Sequence, residues 1–178
     1  MKYVALLRGI NVGKGARVPM KDLKAILEGL GCVEVTTYLN SGNAVFSAEI
    51  GTSELTRLVE DALMQAFGDR IPTLIKTSAE IISIAESIPS AWGSDAGEQT
   101  YVAYLFGDVD KPDLVADLPV KMEFMTIYHT PGALVWNIKR EDYNRSHITK
   151  IAGHSSYARM TTRNVNTARK LAVMCADS

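Results

Sequence analysis

Arg8, Asn11 and Lys14 stand among three glycines, Gly9, Gly13 and Gly15, directly after an apolar run at residues 3–7. Glycines let backbone N–H groups approach a bound anion, and the basic side chains add charge. That is the chemistry of holding a phosphate-like group, not of hydrolysing a nucleoside triphosphate. Gly9 and Gly13 are separated by three residues, where a P-loop needs four, and Gly15 follows Lys14 where a magnesium-binding Ser or Thr belongs. A second cluster, Thr161-Thr162-Arg163-Asn164, precedes an apolar stripe at Ala168, Leu171, Ala172 and Cys175. Thr162 or Asn164 is a natural helix N-cap, and a helix N-terminus with Arg163 beside it favours an anion. Both clusters also have a purely structural reading, a tight strand-to-helix connection and a helix cap.

Other reactive side chains assemble nothing comparable. Ser41, in Asn40-Ser41-Gly42-Asn43, has no identifiable base, and that stretch is first a hairpin turn. Gly153-His154-Ser155-Ser156-Tyr157 is not a nucleophile elbow, because Tyr157 stands where the second glycine belongs. His129, His147 and His154 do not gather a metal-ligand set, and Asp108, Asp110 and Asp113 around Pro112 read as a solvated turn. Cys32 and Cys175 match neither a disulfide framework nor a zinc pattern, so buried free thiols are expected. No metal and no cofactor are expected. Tyr104 and Phe106 share one face of a predicted strand and Tyr101 points to the other, which suits core packing better than base stacking.

The elements that must position these residues follow from periodicity. Residues 3–7 read as a buried strand, 8–17 as a loop, and Leu23, Ile26, Leu27 and Leu30 as a helix opened by Pro19 and closed by Gly31. Residues 33–39 and 44–47 form a hairpin. A helix capped by Ser53 carries Leu55, Leu58, Val59, Ala62, Leu63, Ala66 and Phe67 on one stripe and stops at Gly68, and residues 72–76 form another strand. The order β-α-β-β-α-β predicts an α+β fold with a split βαβ, ferredoxin-like half. Beyond it, Thr77 and Glu80 have capping-box spacing, residues 90–99 read as a linker, and 101–106 as a strand. A short helix at 112–118, a hairpin at 122–128 and 133–138, and a last helix from Val165 repeat the plan less clearly. Residues 176–178 read as a frayed end. The expected domains are two tandem ferredoxin-like subdomains with antiparallel sheets, at 1–77 and 78–178.

Composition is that of a globular protein, with 47% hydrophobic and 22% charged residues among 178. The N-terminal apolar run meets Arg8 too soon for a signal peptide, and no stretch approaches the roughly 20 apolar residues of a membrane span. A cytoplasmic, non-membrane protein is expected. The net charge of −1 hides segregation: residues 1–24 carry six Lys/Arg and one acid, residues 139–178 carry eight and three, and the middle is acidic. The basic ends either neutralise the middle or converge into an anion-attracting face.

Three stretches together resemble a bacterial family catalogued as domain of unknown function 1697: Leu6-Leu7-Arg8-Gly9-Ile10-Asn11-Val12-Gly13, Tyr38-Leu39-Asn40-Ser41-Gly42-Asn43-Ala44-Val45-Phe46, and Thr161-Thr162-Arg163-Asn164-Val165-Asn166-Thr167. The resemblance implies two ferredoxin-like subdomains and supplies no settled activity. It also implies a glycine where this chain has Lys14 and a tryptophan where it has Val165. The function expected from these observations is binding of a small anionic or phosphorylated ligand by Arg8, Asn11, Lys14, Arg163 and Asn164. The alternatives are an enzyme on a phosphorylated or nucleotide substrate, for which no catalytic constellation is identifiable, and an oligomeric scaffold acting through open sheet edges or a dimer face, or a nucleic-acid-associated protein, the last supported by charge alone.

Overall fold

The computed structural model describes residues 1–177. The chain forms two compact units, one from Met1–Ile82 together with the chain from Leu171 onward, the other from Ser83–Lys170.

The first unit contains β1 (Lys2–Leu7), α1 (Met20–Gly29), β2 (Val33–Tyr38), β3 (Asn43–Ser47), α2 (Thr52–Phe67) and β4 (Thr73–Thr77). Its sheet has the order β2-β3-β1-β4, and every pair is antiparallel. Alternation on β1 turns Tyr3, Ala5 and Leu7 towards Leu23 and Leu27 of α1 and Leu55, Val59 and Leu63 of α2. Period 2 on the strand thus meets period 3.6 on the helices in one core. Gly68 takes φ 75° and its N–H closes α2 on the Met64 carbonyl at 2.9 Å. The expected cap at Ser53 is displaced. The chain turns immediately after β3, so Gly51 is the N-cap, its carbonyl receives Leu55 N–H at 3.0 Å, and Ser53 lies inside the first turn.

Beyond β4 come α3 (Ser78–Glu86), β5 (Glu98–Leu105), α4 (Leu114–Asp117), β6 (Thr126–Thr130), β7 (Ala133–Lys139), β8 (Met160–Asn164) and α5 (Val165–Ala176). The capping box forms as spaced: Thr77 N–H donates to Glu80 Oε2 at 2.8 Å, and Glu80 N–H donates to Thr77 Oγ1 at 3.3 Å. The second sheet has the order β6-β7-β5-β8, again antiparallel throughout. β8 corrects the sequence reading, which took Thr161 to Asn164 only as a lead into the helix. These residues pair with β5, Arg163 opposite Val102, and α5 starts directly at their end. Three short 3-10 helices, Arg140–Asp142, Ile148–Gly153 and Tyr157–Arg159, join β7 to β8. The end is less frayed than expected: Asp177 N–H donates to Val173 O at 3.0 Å and its carbonyl accepts Lys2 Nζ at 2.9 Å. Ser178 lies outside the described residues.

Cys32 and Cys175 are free and buried, and burial raises both thiols above their ordinary value of 9.0. Among the described residues no helix is long and apolar enough to cross a membrane.

Candidate functional site

The first two of the three sequence motifs build one structure in the first unit. The loop after β1 has positive φ at Gly9, Asn11 and Gly13, and the hairpin turn at residues 39–42 has it at Leu39 and Gly42. Asn11 fastens them together. Its Nδ2 donates to Val18 O at 2.9 Å and to Asn40 O at 2.7 Å, while its Oδ1 accepts Val18 N–H at 2.8 Å. Leu7 N–H donates to Gly42 O at 2.9 Å. A Cβ on Gly42 would lie 2.6 Å from Leu7 Cβ and 2.8 Å from Ile10 Cδ1, so glycine is required there by both φ and space. Buried Asn43 completes the turn by donating to Tyr38 O and Ser41 Oγ. Of the basic residues, Lys14 and Arg17 are exposed and Arg8 is half-buried. Arg17 donates to Gly13 O at 3.1 Å.

The third motif belongs to the second unit. Arg163 is 6% exposed, and its Nη1 donates to Thr161 Oγ1 at 2.8 Å and Thr162 O at 3.0 Å. Burial pulls its pKa down to about 10, against an opposing contribution from Tyr104. Asn164 is the residue that caps α5: its Oδ1 accepts Asn166 N–H at 2.8 Å, while its Nδ2 donates to Ser94 Oγ at 3.0 Å. The five expected ligand residues therefore divide, Arg8, Asn11 and Lys14 in one unit, Arg163 and Asn164 in the other. The polar atoms of Asn11 and Asn164 already serve the fold.

The second unit also holds a cleft of about 430 Å³ on the face of its sheet. It is lined by Tyr101 of β5, half-buried, and Trp136 of β7, 7% exposed and part of the second unit's core, which are cross-strand partners. Their rings stack with centroids 6.1 Å apart and planes 28° apart. Ile148 and Ile151 form one wall, and Tyr143 and Tyr157, 38% and 41% exposed, stand at the sides. Gln99, Thr149 and Thr162 supply polar edges.

Local hydrogen bonds hold these walls where periodicity does not. Buried Ser146 donates to Tyr143 O at 2.7 Å and accepts Ile148 N–H at 3.2 Å, while His147 turns the chain at φ 59°. His154 Nδ1 lies 2.7 Å from Ser156 Oγ and accepts Ser156 N–H at 3.2 Å, and Tyr157 N–H donates to His154 O at 3.0 Å. This histidine and serine thus set the position of Tyr157. Among the described residues, no group of three His, Cys, Asp or Glu side chains could hold a metal ion.

Sequence reading placed Tyr101 on the face opposite Tyr104 and assigned it to packing; the ring does pack against the second unit's core and also lines the cleft, while Trp136 was overlooked. The parity of Tyr101 was legible. Its partnership with Trp136 depends on register between strands that residues 106–132 separate in the chain.

Fold and site together define an α+β protein of two four-stranded antiparallel sheets, one of which carries an aromatic cleft of small-molecule size. The chain belongs to the family described as "Protein of unknown function (DUF1697)", whose model matches residues 1–136. No curated protein matches it. It is similar over its whole length to the solved structure of the conserved bacterial protein SP0830 from Streptococcus pneumoniae. That likeness has 23% identity and a TM-score of 0.83, covers 98% of each chain, and speaks for the fold alone.

Proposed function

We propose that this protein is a binding module for a small molecule bearing a planar ring, and that the ring lodges in the cleft over Tyr101 and Trp136. The observation that carries this reading is the stacked aromatic pair lining a cleft within the size range of ligand pockets. An aromatic lining favours a flat ring over a branched aliphatic one, and the amide and hydroxyl edges can read a few polar atoms on it. The lining contains no acid, histidine, lysine, arginine or cysteine, and tyrosine is the one ionisable residue type in it. We take each unit to be a ferredoxin-like split βαβ, supported by two sheets of equivalent strand order. Buried free thiols are in keeping with a cytoplasmic location.

The test is Trp136 fluorescence in a Trp92→Phe background, titrated with adenosine, guanosine and other neutral heteroaromatic compounds. Saturable quenching by at least one ring compound is expected. Tyr157→Ala should weaken it by roughly 5- to 150-fold, the equivalent of about 1–3 kcal/mol per stacked ring. A flat response across the panel would remove this reading.

An anion at the first loop is a second reading, supported by exposed Lys14 beside the positive-φ Gly13. It calls for phosphate-dependent thermal stabilisation that Lys14→Ala abolishes.

A further inference from the structure

We infer that the ligand of the aromatic cleft carries an anionic group and that Arg140 receives it. This rests on the cleft reading above. Beside the cleft lies a second hollow of about 340 Å³ lined by Gln99, Arg140 and Tyr143. Gln99 and Tyr143 line both spaces, so one ligand can enter the aromatic part and extend past them to the arginine.

Arg140 is exposed, and its guanidinium is anchored close enough to Asp95 to help lower that carboxyl's pKa. Its Nε donates to the carbonyl of Asp95, and Arg140 forms no ion pair among the described residues. Two nearby carboxylates, Asp95 and Glu98, accept bonds from uncharged donors and keep their charge, so the anion is held by the remaining N–H donors of Arg140 and not by a net positive field. Asp95 Oδ1 accepts Gly97 N–H at 2.7 Å and Glu98 N–H at 3.0 Å, and these bonds lower its pKa more than Arg140 does. Glu98 accepts Gly93 N–H and Asn137 Nδ2. Asp142, two residues along, pairs with Arg145 instead. A flat ring over Trp136 joined to a phosphate or carboxylate at Arg140 would match both spaces, with the planar guanidinium offering parallel donors. The ligand class is therefore a heteroaromatic anion, of which a nucleoside monophosphate is the simplest probe.

The experiment compares adenosine, adenosine 5′-monophosphate and inorganic phosphate in the Trp92→Phe fluorescence titration. The monophosphate should bind about 3- to 10-fold more tightly than adenosine at low salt, as expected for one exposed charge pair. Arg140→Gln should erase that advantage while leaving adenosine binding unchanged, which also shows that the variant is folded. Arg140→Lys should restore part of it, and inorganic phosphate alone should not quench. Equal affinity of nucleoside and monophosphate, or an advantage that survives Arg140→Gln, overturns the assignment and leaves the aromatic cleft standing. No quenching by any of the ring compounds removes the cleft and the anion assignment together.

Discussion

Asn11 shows how a residue with the chemistry of a ligand becomes a part of the frame. Its amide makes three hydrogen bonds, two to Val18 and one to Asn40, at a backbone φ of 56° that asparagine tolerates. Asn11→Gly keeps the φ and removes the bonds. It should cost about 1–3 kcal/mol in urea unfolding, since buried Val18 loses a donor to its carbonyl and an acceptor for its N–H. Asn11→Ala should cost roughly 1 kcal/mol more, because alanine resists the left-handed region. Equal losses would show that backbone strain is not part of the role. Nothing in the sequence separates an asparagine that binds a ligand from one that binds its own loop. The composition around it, glycine and basic side chains, is the same for both.

Thiols belong to the same scale. Burial raises both Cys32 and Cys175, so the folded state holds their protons more tightly than the unfolded chain does. That contribution to stability is complete below the unfolded value near 9.0 and is lost as pH rises past it. Reaction with a thiol reagent at pH 8 should be slow in the native protein and immediate in denaturant. Rapid native reaction of both thiols would contradict the burial.

At the scale of elements, legibility followed periodicity. The stripe from Leu55 to Phe67 and the capping box at Thr77 and Glu80 identify helices without ambiguity, because side-chain spacing and cap chemistry agree there. β8 was hidden because Thr161 to Asn164 is polar and short and is fused to α5 without a turn. Only pairing with β5 makes it a strand. The 3-10 segments over the cleft have no repeat to read, and they depend on Ser146 and on the His154–Ser156 pair. Ser146→Ala removes two hydrogen bonds from this wall and should cost about 1–3 kcal/mol. It should also weaken ring binding without altering the ring stack. Unchanged affinity in a destabilised Ser146→Ala protein would separate the wall from the site.

At the scale of the whole molecule, the two sheets repeat one plan, β2-β3-β1-β4 and β6-β7-β5-β8. The order of elements revealed this in the first half and blurred it in the second, where a four-residue α4 and the 3-10 helices occupy the connections. The chain from Leu171 onward belongs with the first unit, a return that local sequence cannot announce. Leu171 is fully buried there, so Leu171→Ala should cost about 2–5 kcal/mol. A loss below 1 kcal/mol would show that the return adds little.

The central claim, that Tyr101 and Trp136 line a ligand site, is tested most directly by indole N–H NMR of the intact chain. The Trp92 and Trp136 signals would be followed as adenosine 5′-monophosphate is added. The expected result is a saturable shift of the Trp136 signal, with the Trp92 signal moving far less, abolished or strongly weakened in Tyr157→Ala. A Trp136 signal that stays fixed at millimolar nucleotide, or moves only in step with Trp92, contradicts it.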